Sequence, residues 1–154
     1  MPNLQILQKE NTDGDLVIVL TGQINEDSDF STLKTLEGQK LILDLDGITH
    51  INSCGIRDLI EFQKSNFKFD EVIYKNCPQV IVEQMNIVSG FIHPNGVVES
   101  FYAPYFNQAK DNELKILISP SEVVGGKAPV KKDDDGIELE FDDIEAQYFN
   151  FLKG

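Results

Sequence analysis

Residues 40–62, KLILDLDGITHINSCGIRDLIEF, constrain the fold more than any other part of the chain. Leu41-Ile42-Leu43-Asp44-Leu45 is a strand-length apolar run flanked by helical patterns, as expected for a central buried strand. A polar turn is expected after it, ending at Asn52-Ser53-Cys54-Gly55, where a helix begins. Ile56, Leu59, Ile60 and Gln63 then recur at helical spacing as an inward stripe, with Arg57, Asp58, Glu61 and Lys64 facing water and Phe62 off the stripe. This order places small hydroxyl and thiol side chains at a helix N-terminus. Unpaired backbone N–H groups there favour an oxygen acceptor or an anion.

The flanking segments repeat the alternation of strand and helix. Leu4–Leu7, the turn signal Asp13-Gly14-Asp15 and Leu16–Leu20 read as a β-hairpin. Thr21-Gly22-Gln23-Ile24-Asn25 leaves its second strand. Phe30, Leu33 and Leu36 predict a short amphipathic helix over Asp27–Leu36, closed by Gly38. Val72-Ile73-Tyr74 is a further strand. Asn76-Cys77-Pro78 starts a helix with proline at its first position, and Val80, Ile81, Met85 and Val88 form its apolar face before Gly90 stops it. Val97–Ala103 reads as one strand. Beyond Pro104 the texture changes. Leu114–Ile118 is a candidate strand, Ser119–Asp135 a mobile loop, Ile137–Phe141 a period-two strand and Asp142–Leu152 a terminal helix carrying Ile144, Tyr148, Phe149 and Leu152 on one face. The expected architecture is α/β: a mixed β-sheet with helices mainly on one face over residues 1–101, and a β-hairpin plus helix over residues 102–154.

Composition narrows the function classes. The formal net charge is −13 and Arg57 is the single arginine, which opposes binding to a nucleic-acid backbone. The acidity at 133–145 reads as a solvated surface or as a region that docks a basic partner. No apolar run reaches the roughly 18 residues of a membrane span. The start, Met-Pro-Asn-Leu-Gln, has neither the basic nor the apolar region of a secretory signal. Cys54 and Cys77 make no disulfide framework, so a cytoplasmic protein with reduced thiols is expected.

Several pieces in order resemble the STAS domain, the fold of bacterial anti-sigma factor antagonists, over residues 4–101. They are Leu16–Leu20 followed by Thr21-Gly22-Gln23-Ile24-Asn25, the core strand ending Asp44-Leu45, the run Ile51-Asn52-Ser53-Cys54-Gly55-Ile56, and a late helix from Asn76 to Val88. The resemblance implies a signalling protein that docks a kinase-like anti-sigma factor through Asn52, Ser53, Cys54, Gly55, Arg57 and Asp58, with Gln23 and Asn25 beside them. In the family the serine directly before the glycine is phosphorylated. That position here is Cys54, Ser53 matches the other serine, and Asn52 stands where the family has aspartate. Three readings of the turn stay open: Ser53 caps the helix while Cys54 packs, Ser53 is a phosphorylated or anion-binding residue, or Cys54 is redox-responsive. The tail resembles a zinc ribbon whose two turns, Asn107 to Lys110 and Lys132 to Asp135, carry no cysteine. Structural zinc needs thiolate or imidazole ligands, so the expectation is a ribbon-shaped hairpin without metal, or else an unrelated hairpin and helix packed on the core.

The other constellations are weaker. His50 and His93 lie in different elements and read as surface or capping residues. Gly125-Gly126-Lys127 lacks the flanking strand and helix of a phosphate-binding loop. Asp44 and Asp46 end a strand, where carboxylates accept bonds from the following turn. Phe101, Tyr102, Tyr105 and Phe106 cluster at the expected junction as packing or as a docking patch. No nucleophile is paired with a base, so an enzyme is not expected, nor is a cofactor. The leading reading is a regulatory protein-interaction module. The alternatives are a scaffold subunit of a larger complex, or a nucleotide- or small-ligand-binding STAS domain.

Overall fold

The computed structural model describes residues 3–10, 15–33, 37–65 and 69–153. A five-stranded mixed sheet is built from β1 (Gln5–Glu10), β2 (Leu16–Ile24), β3 (Gly38–Ile51), β4 (Phe69–Lys75) and β5 (Gly96–Val98), in that spatial order. β1 pairs antiparallel with β2, and the other neighbours are parallel. Helix α1 (Ser53–Ser65) connects β3 to β4, and α2 (Gln79–Ile87) follows β4. A smaller antiparallel sheet has β6 (Phe101–Asn107) between β7 (Asn112–Ile118) and β8 (Glu140–Phe141), and the chain closes with the one-turn helix α3 (Glu145–Tyr148) and a 3-10 turn, Asn150–Lys153.

Alternation on β2 fixes which face is covered: Leu16, Ile18, Leu20, Gly22 and Ile24 are buried and the residues between them are half-exposed. Register carries these rows across the sheet, as Leu16–Leu41–Val72 and Ile18–Leu43–Tyr74. β3 is therefore not covered equally on both faces, since Ile42 and Asp44 are only half-buried. Burial on β3 slips phase between Leu45 and Ile48, where the β2 pairing is irregular. Gly47 sits at this slip. A Cβ there would lie 2.5 Å from the Thr21 methyl, so the two strands approach too closely for a side chain.

The expected polar turn after Leu45 is strand. β3 runs on to Ile51 because Gly22–Ile24, expected to leave the sheet, stays in it and pairs with Ile48–Ile51. The helix expected over Asp27–Leu36 reduces to a 3-10 turn, Ser31–Leu33, with residues 34–36 outside the described residues. Gly38 opens β3 instead of closing that helix. The Asp13-Gly14 part of the first turn also lies outside the described residues. Phe62, expected off the inward stripe, is buried and stacks on Phe30 with ring centroids 6.1 Å apart. Pro78 is the N-cap of α2 and not its first helical residue, and Val82 joins Ile81 and Met85 on the buried face.

Val97–Ala103 is two strands in two sheets. Between them Glu99 N–H donates to the Tyr74 carbonyl (2.8 Å) and the Ser100 carbonyl accepts from Cys77 N–H (3.1 Å). The chain is thereby pulled off β5 and across to β6. The second sheet begins at Phe101, and one continuous apolar core includes residues of both sheets. The expected strand at Ile137–Phe141 is paired as β8 only over its last two residues, and the expected terminal helix is α3 plus the 3-10 turn. Asn86 of α2 fixes this end, donating from Nδ2 to the Tyr148 carbonyl (2.9 Å) and accepting from Phe151 N–H (2.8 Å). Phe101, Phe141, Tyr148 and Phe149 pack ring against ring beneath it, so the junction aromatics Phe101 and Tyr105 are core while Tyr102 and Phe106 are half-buried.

Candidate functional site

One residue, Asn52, joins the end of β3 to the start of α1, and it organises the site. Its N–H donates to the Ile24 carbonyl (3.0 Å), the last residue of β2. Its carbonyl accepts the first helical bond, from Ile56 N–H (2.9 Å), and its Oδ1 accepts from Gly55 N–H (2.9 Å). This is the geometry of an N-cap. The cap expected at Ser53 is therefore supplied by Asn52, and Ser53 is the first helical residue, exposed. Asn52 Nδ2 donates to Glu26 Oε2 at 2.7 Å, and this bond holds the Glu26 carboxyl below the usual carboxylate range.

Glu26 belongs to a tight turn beside the helix start. Asn25 Oδ1 accepts from Asp27 N–H (2.9 Å), Asn25 N–H donates to Ser28 Oγ (2.8 Å), and Ser28 N–H donates to the Asn25 carbonyl (3.0 Å). These bonds close the turn from within. Gln23 is half-buried in β2 opposite His50, and its carbonyl accepts from Ser28 Oγ at 3.4 Å. Gln23 and Asn25 thus shape the turn from beneath. Glu26 and Asp27 are its exposed members.

Gly55 sets the distance between turn and helix. A Cβ on it would lie 2.5 Å from the carbonyl carbon and oxygen of Ile24 and 2.7 Å from Asn25 N. The first turn of α1 therefore rests directly on the backbone at the end of β2. Of the residues read from the sequence, Asn52, Ser53, Cys54, Gly55, Gln23 and Asn25 come together here, and Arg57 and Asp58 follow one turn on. Cys54 is half-buried and unpaired with another cysteine. The Arg57 side chain is 70% exposed and reaches only its neighbour Asp58, at 4.0 Å. Among the described residues Ser53 Oγ has no hydrogen-bond partner. The sequence reading takes in Glu26 only as part of the span Gly22–Asp27 beside the helix and gives it no role of its own. Its signal is the parallel pairing of Ile24 with Ile51, which brings the residues after both strands to one edge.

The remaining candidates resolve into structural roles. Asp44 Oδ1 accepts from Asp46 N–H (3.1 Å) and Asn76 Nδ2 (3.1 Å), and Asp46 accepts from the Tyr102 hydroxyl (2.7 Å). His50 is exposed beside Thr49, and His93 Nδ1 accepts from Asn95 N–H (3.0 Å). Cys77 is fully buried, and burial pushes its thiol up, away from the thiolate. A groove of about 360 Å³ lies between Ile48, Val80 and Tyr102, and its one cation, Lys115, is bonded to Gln79.

At the two turns read as ribbon knuckles, side chains of the turns bind one another. Asn107 Nδ2 donates to Asp133 Oδ2 (2.8 Å), and Lys110 Nζ lies 3.4 Å from Asp133 and 2.7 Å from Asp135. Among the described residues no group of three or more His, Cys, Asp or Glu side chains could hold a metal ion, and no helix is long and apolar enough to cross a membrane. No family model matches the chain, and no curated protein is significantly similar to it.

Proposed function

We propose that the chain is a cytoplasmic, non-catalytic protein-interaction module of the kind its sequence resembles, the anti-sigma factor antagonists. It docks a signalling partner, an anti-sigma factor or kinase-like regulator, through the start of α1 and the adjoining 25–29 turn. The observation that carries this reading is the Asn52 junction. One carboxamide caps the helix and binds Glu26, so two segments from different strands form one fixed, exposed surface. On that surface Ser53 and Arg57 extend into solvent with no structural task, which is what a recognition surface requires.

Cys54 stands where the family has its phosphoacceptor serine, so the usual phosphate ester cannot form there. Ser53 is the one hydroxyl left in the first turn of α1, and it is exposed. A phosphate on it would stand beside Glu26 and Asp27 and add roughly −1.5 to −2 charge to an already acidic rim. Modification at Ser53 would therefore weaken docking of a partner that brings no added positive charge to meet it.

The test is affinity purification from the native host with wild type, Ser53→Asp and Arg57→Glu. Both side chains are exposed, so neither change is expected to alter the melting temperature. The proposal expects a partner captured by wild type and lost with either variant. A specific partner retained by both, at wild-type yield, would overturn it.

A further inference from the structure

From Ser119 to Phe141 only Leu139 is buried, and regular structure is confined to the 3-10 turn Pro120–Glu122 and to β8. The sequence predicts a mobile loop over most of this stretch. The structure instead holds it down, and almost every hold is polar. Glu122 draws the segment together, accepting from Ser119 N–H (2.7 Å) and Lys131 Nζ (2.8 Å). Glu145 on α3 accepts from Ala128 N–H (2.7 Å) and pairs with Lys127 (3.5 Å). The Tyr105 hydroxyl of β6 donates to the Pro129 carbonyl (2.6 Å). The fourth hold is Asp133. Its Oδ1 accepts from Asp135 N–H (2.9 Å) and Ile137 N–H (2.8 Å), while its Oδ2 faces Asn107 and Lys110 on the β6–β7 turn.

We propose that residues 123–139 form a strap that opens and closes as a unit on a body that stays folded, latched by Asp133 onto Asn107 and Lys110. The physical reason is the contrast in what each part buries. The body is held by a continuous apolar core. The strap buries one leucine fully, packs only Val123 and Ala128 in part against that core, and otherwise hangs on charged and hydroxyl groups. Local opening free energy follows buried apolar contact, so the strap opens at lower cost than the body. Opening bares Tyr105 and loosens β8, which covers β6 at Tyr105 and Phe106. β6 would then present a second strand edge able to pair with another chain.

The latch is closed around neutral pH. Asp133 is held below the usual carboxylate range, first by the Ile137 N–H and then by Asn107 and Lys110, and Lys110 is held above the usual ammonium range by Asp135 and Asp133, with Asp134 nearby. Glu122, bonded to Lys131, is likewise lowered, Glu145 pairs with Lys127, and Lys132 and Glu138 are the strap's other charged side chains. The latch therefore persists well below neutrality and responds to salt and to loss of either partner.

Amide hydrogen exchange on the full chain tests this. In wild type the amides of Gly136, Ile137 and Leu139 should exchange at least ~10-fold faster than those of β2–β4. Asp133→Asn, which keeps the shape and an acceptor but loses the charge facing Lys110, should speed the strap amides a further ~5-fold or more and leave β2–β4 unchanged. Lys110→Met should do the same from the other side. Raising salt to about 1 M, where screening acts within about 3 Å, should speed the strap in wild type without any substitution. The proposal is overturned if strap and sheet amides exchange in step. It is equally overturned if both variants and high salt leave the strap amides at their wild-type rate.

Discussion

Gly55→Ala isolates the close approach that builds the proposed docking surface. The added Cβ would meet the Ile24 carbonyl carbon and oxygen at 2.5 Å and Asn25 N at 2.7 Å. Carbon atoms in ordinary contact sit about 3.5–4.0 Å apart, so roughly 1 Å of movement is needed. The obstacle is backbone in a strand end and cannot rotate aside. The first turn of α1 must lift instead, stretching the Asn52 bonds to Gly55 and to Ile24. Overpacking of this kind costs about 1–3 kcal/mol. Alanine returns part of it, up to about 1 kcal/mol, through its better helix propensity. The expected net loss is about 1–2 kcal/mol, and at about 2–4 °C per kcal/mol for a chain of this size the melting temperature should fall by about 2–8 °C. Urea unfolding followed by far-UV circular dichroism measures it directly. Ser53→Ala, two residues earlier and exposed, is the control and should stay within about 0.5 kcal/mol of wild type. If Gly55→Ala is as stable as wild type or more so, the contact between α1 and β2 is looser than argued, and the idea of one fixed surface fails with it.

Asn52→Asp keeps a good helix cap but turns a donor to Glu26 into a second carboxylate, so the turn at 25–28 should detach at neutral pH; exchange of the Asp27 and Ser28 amides should rise, and Glu26→Gln in the same chain should restore it. Tyr74→Phe removes the hydroxyl that donates to Gln63 and accepts from His93 N–H inside the core, which should cost about 1–3 kcal/mol in thermal or urea unfolding; an unchanged stability would refute the role given to that network. All four tyrosines are raised above the ordinary phenol range, Tyr105 to about 12 by burial and then by Glu122 and Glu145. The folded chain then keeps protons that the unfolded chain loses, so this stability is fully present below about pH 10 and is lost as pH rises toward 12; phenolate absorbance should lag behind that of free tyrosine and then appear with unfolding.

Features that depend on neighbours along the chain were legible from the residue pattern. Leu41–Leu45, the start of α1 and the inward positions Leu59 and Gln63 follow from local periodicity, and all stand in the structure. What it concealed depends on partners distant in sequence. Asp46–Ile51 is polar enough to read as a turn, yet it is strand because β2 continues alongside it. Phe62 faces the core only because Phe30 arrives from the 3-10 segment. Val97–Ala103 looks like one strand, and the bonds that split it come from Tyr74 and Cys77. The hold on residues 119–136 leaves no periodic pattern, since it is made of single carboxylates and one tyrosine hydroxyl finding backbone and side-chain partners. The same holds for the bond of Glu26 to Asn52, which follows only once Ile24 and Ile51 are paired.

That pairing gives Asn52 and Cys54 a physical reading at the site. An aspartate at position 52 would cap α1 as well as asparagine does, so capping does not explain the carboxamide. Glu26 does. It lies 2.7 Å from Nδ2, where a carboxylate partner would be repelled, and only an amide can cap the helix with one atom and hold the turn with the other. Cys54 is half-buried in the first turn that Gly55 lets rest on the β2 backbone. Asn52 and Gly55 together make the start of α1 a fixed surface. Ser53 is left as the one side chain of that first turn free to carry a change of charge.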